Sequence, residues 1–401
     1  VMAFDETGEL KWWNRLWKEY EGDDQGNGSP AAAPEGATVK VTAGSYKPTS
    51  GTDRSVSFIL PEGVTILGGY PADGSFDDET RDPALYPTVL SGDIGTIADP
   101  ADNSYHVVVG EGLSPTTVFD GFIVRDGRAI GPDATHQNKG GGMLLTGGSE
   151  PLLRNLRFVD NTASGAIDPG VTSADANGWG GALTVIDSSP RLEDVVFDNN
   201  FALGSQEPQN LSGGRGLGGA AAYIDSDIDF LRVSLIRNEA IGGAGRNGAN
   251  GTTSSRNGEN GKSGGDAIGG ALYGTGSGGP IRESLFRENR ARAGSGGDGG
   301  NGATGATAGT GGRGGNGGSG GSSFGGALYL NAGLDATVTN ARFEGNFTFS
   351  PQNGHGGNGG KGGKGSTGSA GADGTFFSQN GKKGGTGGTG AVAGTDGVDN
   401  A

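Results

Sequence analysis

Between residues 141 and 346 the apolar residues fall in short runs separated by turn-forming residues. Gly181-Ala-Leu-Thr-Val-Ile186 and Arg191-Leu-Glu-Asp-Val-Val-Phe197 alternate or run continuously apolar and are rich in β-branched residues. Each predicts a strand, and Asp187-Ser-Ser-Pro190 between them predicts a turn. None of these units carries the ten-residue, 3.6-period stripe of a helix.

The pattern repeats. A Gly-Gly pair followed by a small or apolar residue recurs at Gly141-Gly142-Met143, Gly180-Gly181-Ala182, Gly218-Gly219-Ala220, Gly269-Gly270-Ala271 and Gly325-Gly326-Ala327. Fifteen or sixteen residues after the third member comes a large apolar residue, with Asn three positions further on. These pairs are Phe158/Asn161, Phe197/Asn200, Leu235/Asn238, Phe286/Asn289 and Phe343/Asn346. A strand–turn–strand unit of roughly 20 residues cannot bury its own apolar face, whereas identical units stacked along an axis can. The predicted fold is all-β: a parallel β-helix over residues 37–346. In it the five asparagines form a structural ladder that hydrogen-bonds along the axis, and the phenylalanines stack inside.

Glycine then changes the picture. The chain has 88 glycines in 401 residues, and 54 of them lie in 239–401. In an insert at about 241–266 glycine falls at 242, 245, 248 and 251, then 258, 261 and 264. In a second insert, at about 294–322, it falls at 296, 299, 302, 305, 311, 314, 317 and 320. The tail, 347–401, repeats the step of three from 356 to 374 and from 381 to 390. Three is the period of the extended left-handed polyproline-II helix. All 16 prolines lie at or before Pro351 and outside these runs, so the pattern is not collagen's. The expectation is an ordered bundle of polyglycine-II type, its legs hydrogen-bonded through the backbone; a flexible linker is the alternative.

Residues 1–20 hold Trp12, Trp13 and Trp17. They read either as a hairpin turning at Asp5-Glu-Thr-Gly8 or as a helix over 9–20. Two roles compete: a cap on this chain's own coil end, or a docking element making a subunit contact. Residues 21–36 are a low-complexity linker. The chain opens at Val1 without a leader pattern and reads as mature or excised.

The formal charge is −16, which disfavours nucleic acid as a partner. No apolar run is long enough for a membrane-spanning helix. With no cysteine, disulfides, thiolate metal sites and Cys nucleophiles are excluded. Asp194, Asp198, Asp225, Asp227 and Asp229 form the best acidic group and read as a solvated face. Asp73, Asp77, Asp78, Asp82 and Asp93 lack any calcium-loop spacing. His106, His136 and His355 share no motif. No catalytic residue, cofactor or metal is predicted.

The Gly-Gly-Ala…Phe-x-x-Asn pattern resembles the repeat of polymorphic outer-membrane proteins and related bacterial surface β-helix proteins. Upstream, Val39-Lys-Val-Thr-Ala-Gly-Ser-Tyr-Lys-Pro48, Gly63-Val-Thr-Ile-Leu-Gly-Gly-Tyr70, Arg81-Asp-Pro83, Pro87-Thr-Val-Leu-Ser-Gly-Asp93 and Asp120-Gly-Phe-Ile-Val124 are similar to the opening coils of secreted bacterial right-handed parallel β-helix proteins. The resemblance implies right-handed winding and an extracellular or cell-surface location, in a family that includes adhesins. The glycine runs resemble the polyglycine-II bundles of some phage tail-fibre adhesins and of the snow-flea antifreeze protein. The expected function is that of a structural or adhesive surface protein, not an enzyme. Its expected partners are copies of itself in head-to-tail filaments, or surface glycans and proteins. A carbohydrate-active β-helix enzyme and a receptor- or ice-binding tip are the rivals.

Overall fold

The computed structural model describes residues 2–4, 10–13, 35–73, 76–166, 172, 175–206, 212–252, 255–276, 278–304, 312–331 and 336–351, with 2–4 and 10–13 described as backbone only. Among the described residues the chain is all-β apart from one 3-10 turn at Asp133–Thr135. From Met143–Thr146 it runs through Leu152–Arg154, Arg157–Val159 and Thr162–Gly165. A loop then leads to Gly178–Trp179, and the next strand, Leu183–Ile186, lies parallel beside Met143–Thr146. From Met143 onward each full circuit adds one strand to each of five sheets; with the earlier strands, these sheets hold ten, eight, seven, six and four strands among the described residues. Successive strands of a sheet come from successive coils, as in a β-solenoid. Antiparallel pairing occurs where Met2–Phe4 joins both Leu10–Trp13 and Thr38–Thr42. Of the two expectations for the N-terminus, the backbone is thus a hairpin, and it pairs with its own chain. Trp17 and the linker up to residue 34 lie outside the described residues, as does any subunit contact through Trp12 and Trp13.

Alternation sends every second side chain inward. Phe158 pairs in register with Phe197, Phe197 with Leu235, Leu235 with Phe286, and Phe286 with Phe343. The rings of Phe158 and Phe197 stack with centroids 5.0 Å apart, and those of Phe286 and Phe343 at 4.8 Å. Phe158, Phe197 and Phe286 are fully buried, but Phe343 is 50% exposed, because it belongs to the last coil of the described residues and no described rung follows it. The same coil continues through Phe347–Phe349, so the coiled part extends past Asn346.

Two further expectations are corrected. The run Arg191–Phe197 is two strands, Arg191–Glu193 and Val196–Asp198, broken at Asp194, which has a φ of 54°. Equivalent corners put Asn155, Arg232, Glu283 and Asn340 in the same left-handed region, which side chains other than glycine enter only at a cost. The first repeat also shifts by one. Met143 pairs with Leu183, so Gly140-Gly141, not Gly141-Gly142, is the equivalent of Gly180-Gly181. The extra residue is absorbed at the Gly147-Gly148 corner, where both glycines have positive φ. The Gly-Gly pair itself has a double cause. Gly180 turns the corner at a φ of 52°, while a Cβ on Gly181 would lie 2.3 Å from the carbonyl oxygen of Gly219 in the next coil.

Corners remove backbone groups from the ladders, and side chains replace the lost partners. Asn200 Oδ1 accepts both the backbone N–H of Asn161 (3.0 Å) and its Nδ2–H (3.1 Å), while Asn200 Nδ2 donates to the carbonyl of Phe158 (3.0 Å) and to Asn238 Oδ1 (2.9 Å). Asn238, Asn289 and Asn346 repeat these bonds toward the coils before them. The column starts at Gly127, whose N–H donates to Asn161 Oδ1 at 3.0 Å. A second column was not foreseen. Ser149, Ser188 and Ser226 are buried, and each hydroxyl accepts the amide of the coil before it: Leu113, Ser149 and Ser188 respectively.

Asn200→Ala strands the Asn161 amide and the Phe158 carbonyl and leaves Asn161 Nδ2 with the Val124 carbonyl as its remaining partner. We expect it to cost about 3 kcal/mol in denaturant unfolding. Asn199→Gly, at the adjacent corner with a φ of 58°, should change stability by less than about 1 kcal/mol.

Candidate functional site

Every long insert leaves the coil at one place, between the strand that follows the ladder asparagine and the short strand that precedes the next Gly-Gly pair. On that flank four legs lie side by side: 242–251, 256–265, 294–303 and 312–321. Their hydrogen bonds recur every third residue. The amides of Gly242, Gly245, Gly248 and Gly251 donate to the carbonyls of Arg292, Ser295, Asp298 and Asn301 at 2.7–2.8 Å. Those of Gly294, Gly297, Gly300 and Ala303 donate to Gly265, Lys262, Glu259 and Arg256 at 2.8 Å. Gly312, Gly315, Gly318 and Gly321 donate to Ala303, Gly300, Gly297 and Gly294, also at 2.8 Å. Gly258, Gly261 and Gly264 reach Arg313, Asn316 and Ser319 at 2.8–2.9 Å.

Glycine is required here because backbone meets backbone. A Cβ on Gly300 would lie 2.0 Å from the Ala249 carbonyl oxygen, and one on Gly315 1.9 Å from that of Glu259. Gly297, Gly300, Gly315 and Gly318 are buried, while Ser295, Asp298, Asn301, Arg313 and Asn316 point outward and are exposed. Asparagines complete the accounting between legs. The amides of Asp298, Asn301, Arg313 and Asn316 donate to the Oδ1 atoms of Asn247, Asn250, Asn257 and Asn260 at 2.6–3.0 Å. The sequence reading located these runs and their period; the role of the interleaved asparagines was missed. Residues from 352 onward, which include His355 and the glycine tail, lie outside the described residues.

The acidic groups are taken up by structure. Asp194 binds Arg232 (2.7 Å), Asp198 binds Arg237 (2.6 Å) and Asp229 binds Arg282 (2.6 Å), in each case an arginine of the following coil. Asp227 accepts the Gly278 amide at 2.8 Å. Asp78 pairs with Lys40, and Asp93 lies 4.0 Å from Lys47. Asp120, fully buried, is held by Arg81 (2.8 Å) and Arg154 (2.7 Å). Burial pushes its carboxyl up, but the bonds from Arg81, Asn155 and Arg154 outweigh that and hold it below the usual range. Among the described residues no three His, Asp or Glu side chains converge as metal ligands, and no helix is long and apolar enough to cross a membrane.

One buried polar cluster was not anticipated. Lys139 pairs with Asp133, donates to Asn138 Oδ1 at 3.0 Å and lies 5.9 Å from the Trp179 ring centre. Burial pushes its ammonium down, opposed by Asp133. His106 stands nearby with Nδ1 3.0 Å from the Gly140 carbonyl, so that nitrogen carries the proton. Burial pushes the ring down to about 4. The last coil forms another distinct surface, with Phe324, Val338, Phe343, Phe347 and Phe349 all exposed.

Compared with known proteins, the chain matches no family model, no curated protein and no solved structure.

Two outcomes follow from these geometries. Gly300→Ala should destabilise the inserts by about 2–3 kcal/mol through backbone overpacking, whereas Ser295→Ala, exposed on the same leg, should stay within about 0.5 kcal/mol. Both are read from denaturant unfolding. For His106 the folded value, about 4, lies below the ordinary value near 6.5, so the unfolded chain binds the extra proton between them. Stability should therefore fall as pH drops through that window, by about 2–3 kcal/mol. His106→Gln should flatten this part of the pH–stability curve.

Proposed function

We propose that the protein is an extracellular structural or adhesive surface protein: a right-handed β-solenoid carrying a polyglycine-II bundle on one flank. The period-three bonding among the four legs carries this reading. A polyproline-II helix has three residues per turn and rises ~3.1 Å per residue. Residues three apart therefore face the same neighbour, which is the spacing of the donors Gly242, Gly245, Gly248 and Gly251. Outward residues then stand in rows, roughly 9 Å apart along a leg by the same rise. Asp298 and Asn301 make one such row and Arg313 and Asn316 another. A fixed lattice of small polar groups on a rigid backbone suits repeated contact with an extended, regular partner such as a surface glycan. Right-handed winding is supported by the strong preference of parallel β crossovers for that hand.

Assembly belongs to the same reading. The last coil leaves strand edges and five large apolar side chains exposed, a surface that favours addition of another copy.

The test uses the full chain coupled to beads. Retention on immobilised polysaccharides, with no unsaturated product released from polyuronides, supports an adhesive, non-enzymatic role. Release of such products would replace it with a lyase. Sedimentation across a wide concentration range should show self-association that Phe347→Ser with Phe349→Ser reduces.

A further inference from the structure

We propose that Asn247, Asn250, Asn257 and Asn260 are deamidation sites that the folded bundle holds shut, each by a two-point clamp on one residue of a neighbouring leg. The clamps belong to the leg-to-leg bonding described above and hold whether or not the flank binds a ligand.

Each of these asparagines is followed by glycine. Asn-Gly is the dipeptide most prone to spontaneous deamidation, because glycine has no side chain to hinder ring closure. The glycine amide nitrogen gives its proton to solvent and bonds to the asparagine Cγ. The Cγ–Nδ2 bond breaks, and that nitrogen takes up a proton and leaves as ammonia. Water then opens the five-membered imide on either side, which gives aspartate or isoaspartate. Nothing is oxidised or reduced. All four asparagines are exposed, so exclusion of water does not protect them.

Geometry protects them instead. Asn247 Oδ1 accepts the Asp298 amide at 2.6 Å, and the Gly248 amide donates to the Asp298 carbonyl at 2.7 Å. Asn250 and Gly251 hold the amide and the carbonyl of Asn301 in the same way, both at 2.7 Å. Asn257 and Gly258 hold Arg313 at 3.0 and 2.8 Å, and Asn260 and Gly261 hold Asn316 at 2.8 and 2.9 Å. In every pair the attacking amide and the side chain it must attack are bonded to the same residue of another leg. The proton that has to leave is donated to a carbonyl, and the side-chain amide is pinned on the partner's N–H. Reaction therefore runs through the opened form, and its rate falls by the opening equilibrium constant.

The clamp also decides which product matters. Where the first insert rejoins the coil, Asp266 Oδ1 accepts the Ser322 amide at 3.0 Å and the Ala267 amide donates to the Ser322 carbonyl at 3.0 Å. A carboxylate thus fills the same place, and ordinary aspartate would keep the clamp. Isoaspartate adds a carbon to the main chain and takes every later glycine of the leg out of its three-residue phase.

The test follows deamidation of the full chain under warm, mildly alkaline conditions by peptide-resolved mass spectrometry, folded and unfolded in guanidinium. All four sites should react at least about tenfold more slowly in the folded chain. Asp298→Pro removes one clamping N–H while its fixed φ suits a polyproline-II leg. It should speed Asn247 about fivefold and leave Asn257 and Asn260, clamped on the other leg, unchanged. Equal folded and unfolded rates, with the amides of Gly264 and Gly265 still protected from hydrogen exchange, overturn the proposal and leave the bundle standing. An unchanged rate at Asn247 in the variant, or uniform speeding at all four sites, also overturns it. Exchange of Gly264 and Gly265 at random-coil rates in the unmodified chain removes the bundle as well.

Discussion

A backbone that turns several corners in every circuit must find a partner for each N–H and C=O that a corner removes from the ladder. An unpaired buried group costs about 1–3 kcal/mol, and one circuit of this chain has several corners, so the debt would exceed the net stability of an ordinary domain if left open. The columns of identical side chains answer this. Asn200 serves Asn161 and Phe158 of the coil before it, and the serine column serves another corner of the circuit. Because each member satisfies its neighbour's backbone and is satisfied by the next, the coils are held in one register, and that register keeps Phe158, Phe197, Leu235 and Phe286 in line inside.

The same accounting produces two interiors of different kinds. Within the coils, apolar side chains fill the space and the backbone surrounds them. On the glycine flank the backbone is itself the filling, and side chains are expelled to the surface wherever a Cβ would meet a carbonyl, as at Gly300 and Gly315. The hydrophobic contribution there is small, and order depends on amide–carbonyl bonds repeated in several directions. Acidic residues follow the coil rule too. Asp194, Asp198 and Asp229 each bind an arginine one coil further on.

How much of this was legible depended on whether a constraint fixed the residue type. The ladder asparagine is readable because only a side chain with one acceptor and two donors at that reach fits, so it recurs with constant spacing. The glycine periods are readable for the same reason. The corner at Asp194 was not, because the left-handed backbone is filled by Asn155, Asp194, Arg232, Glu283 and Asn340 in turn, and such variety hides a shared φ. The serine column was hidden because Ser188 sits in a stretch whose composition reads simply as a turn. The one-residue slip in the first repeat arose from three consecutive glycines, Gly140 to Gly142, in which the pair that turns the corner cannot be told from its neighbour. Lys139, His106 and Asp133 meet through the fold alone and share no spacing that would announce them.

The flank also constrains how such a chain can change length. An insert leaves and re-enters the coil at one corner, so its size is decoupled from the apolar core. Its legs, however, are locked to their neighbours in steps of three residues. Lengthening a leg by one or two residues would turn every later glycine away from the carbonyl it must approach and bring a side chain in its place. Adding a whole triplet to both legs of a hairpin moves only the tip outward. Length changes are therefore expected to be phased: a deletion or duplication of six residues per hairpin would keep every remaining glycine against its carbonyl, and an intermediate one would not.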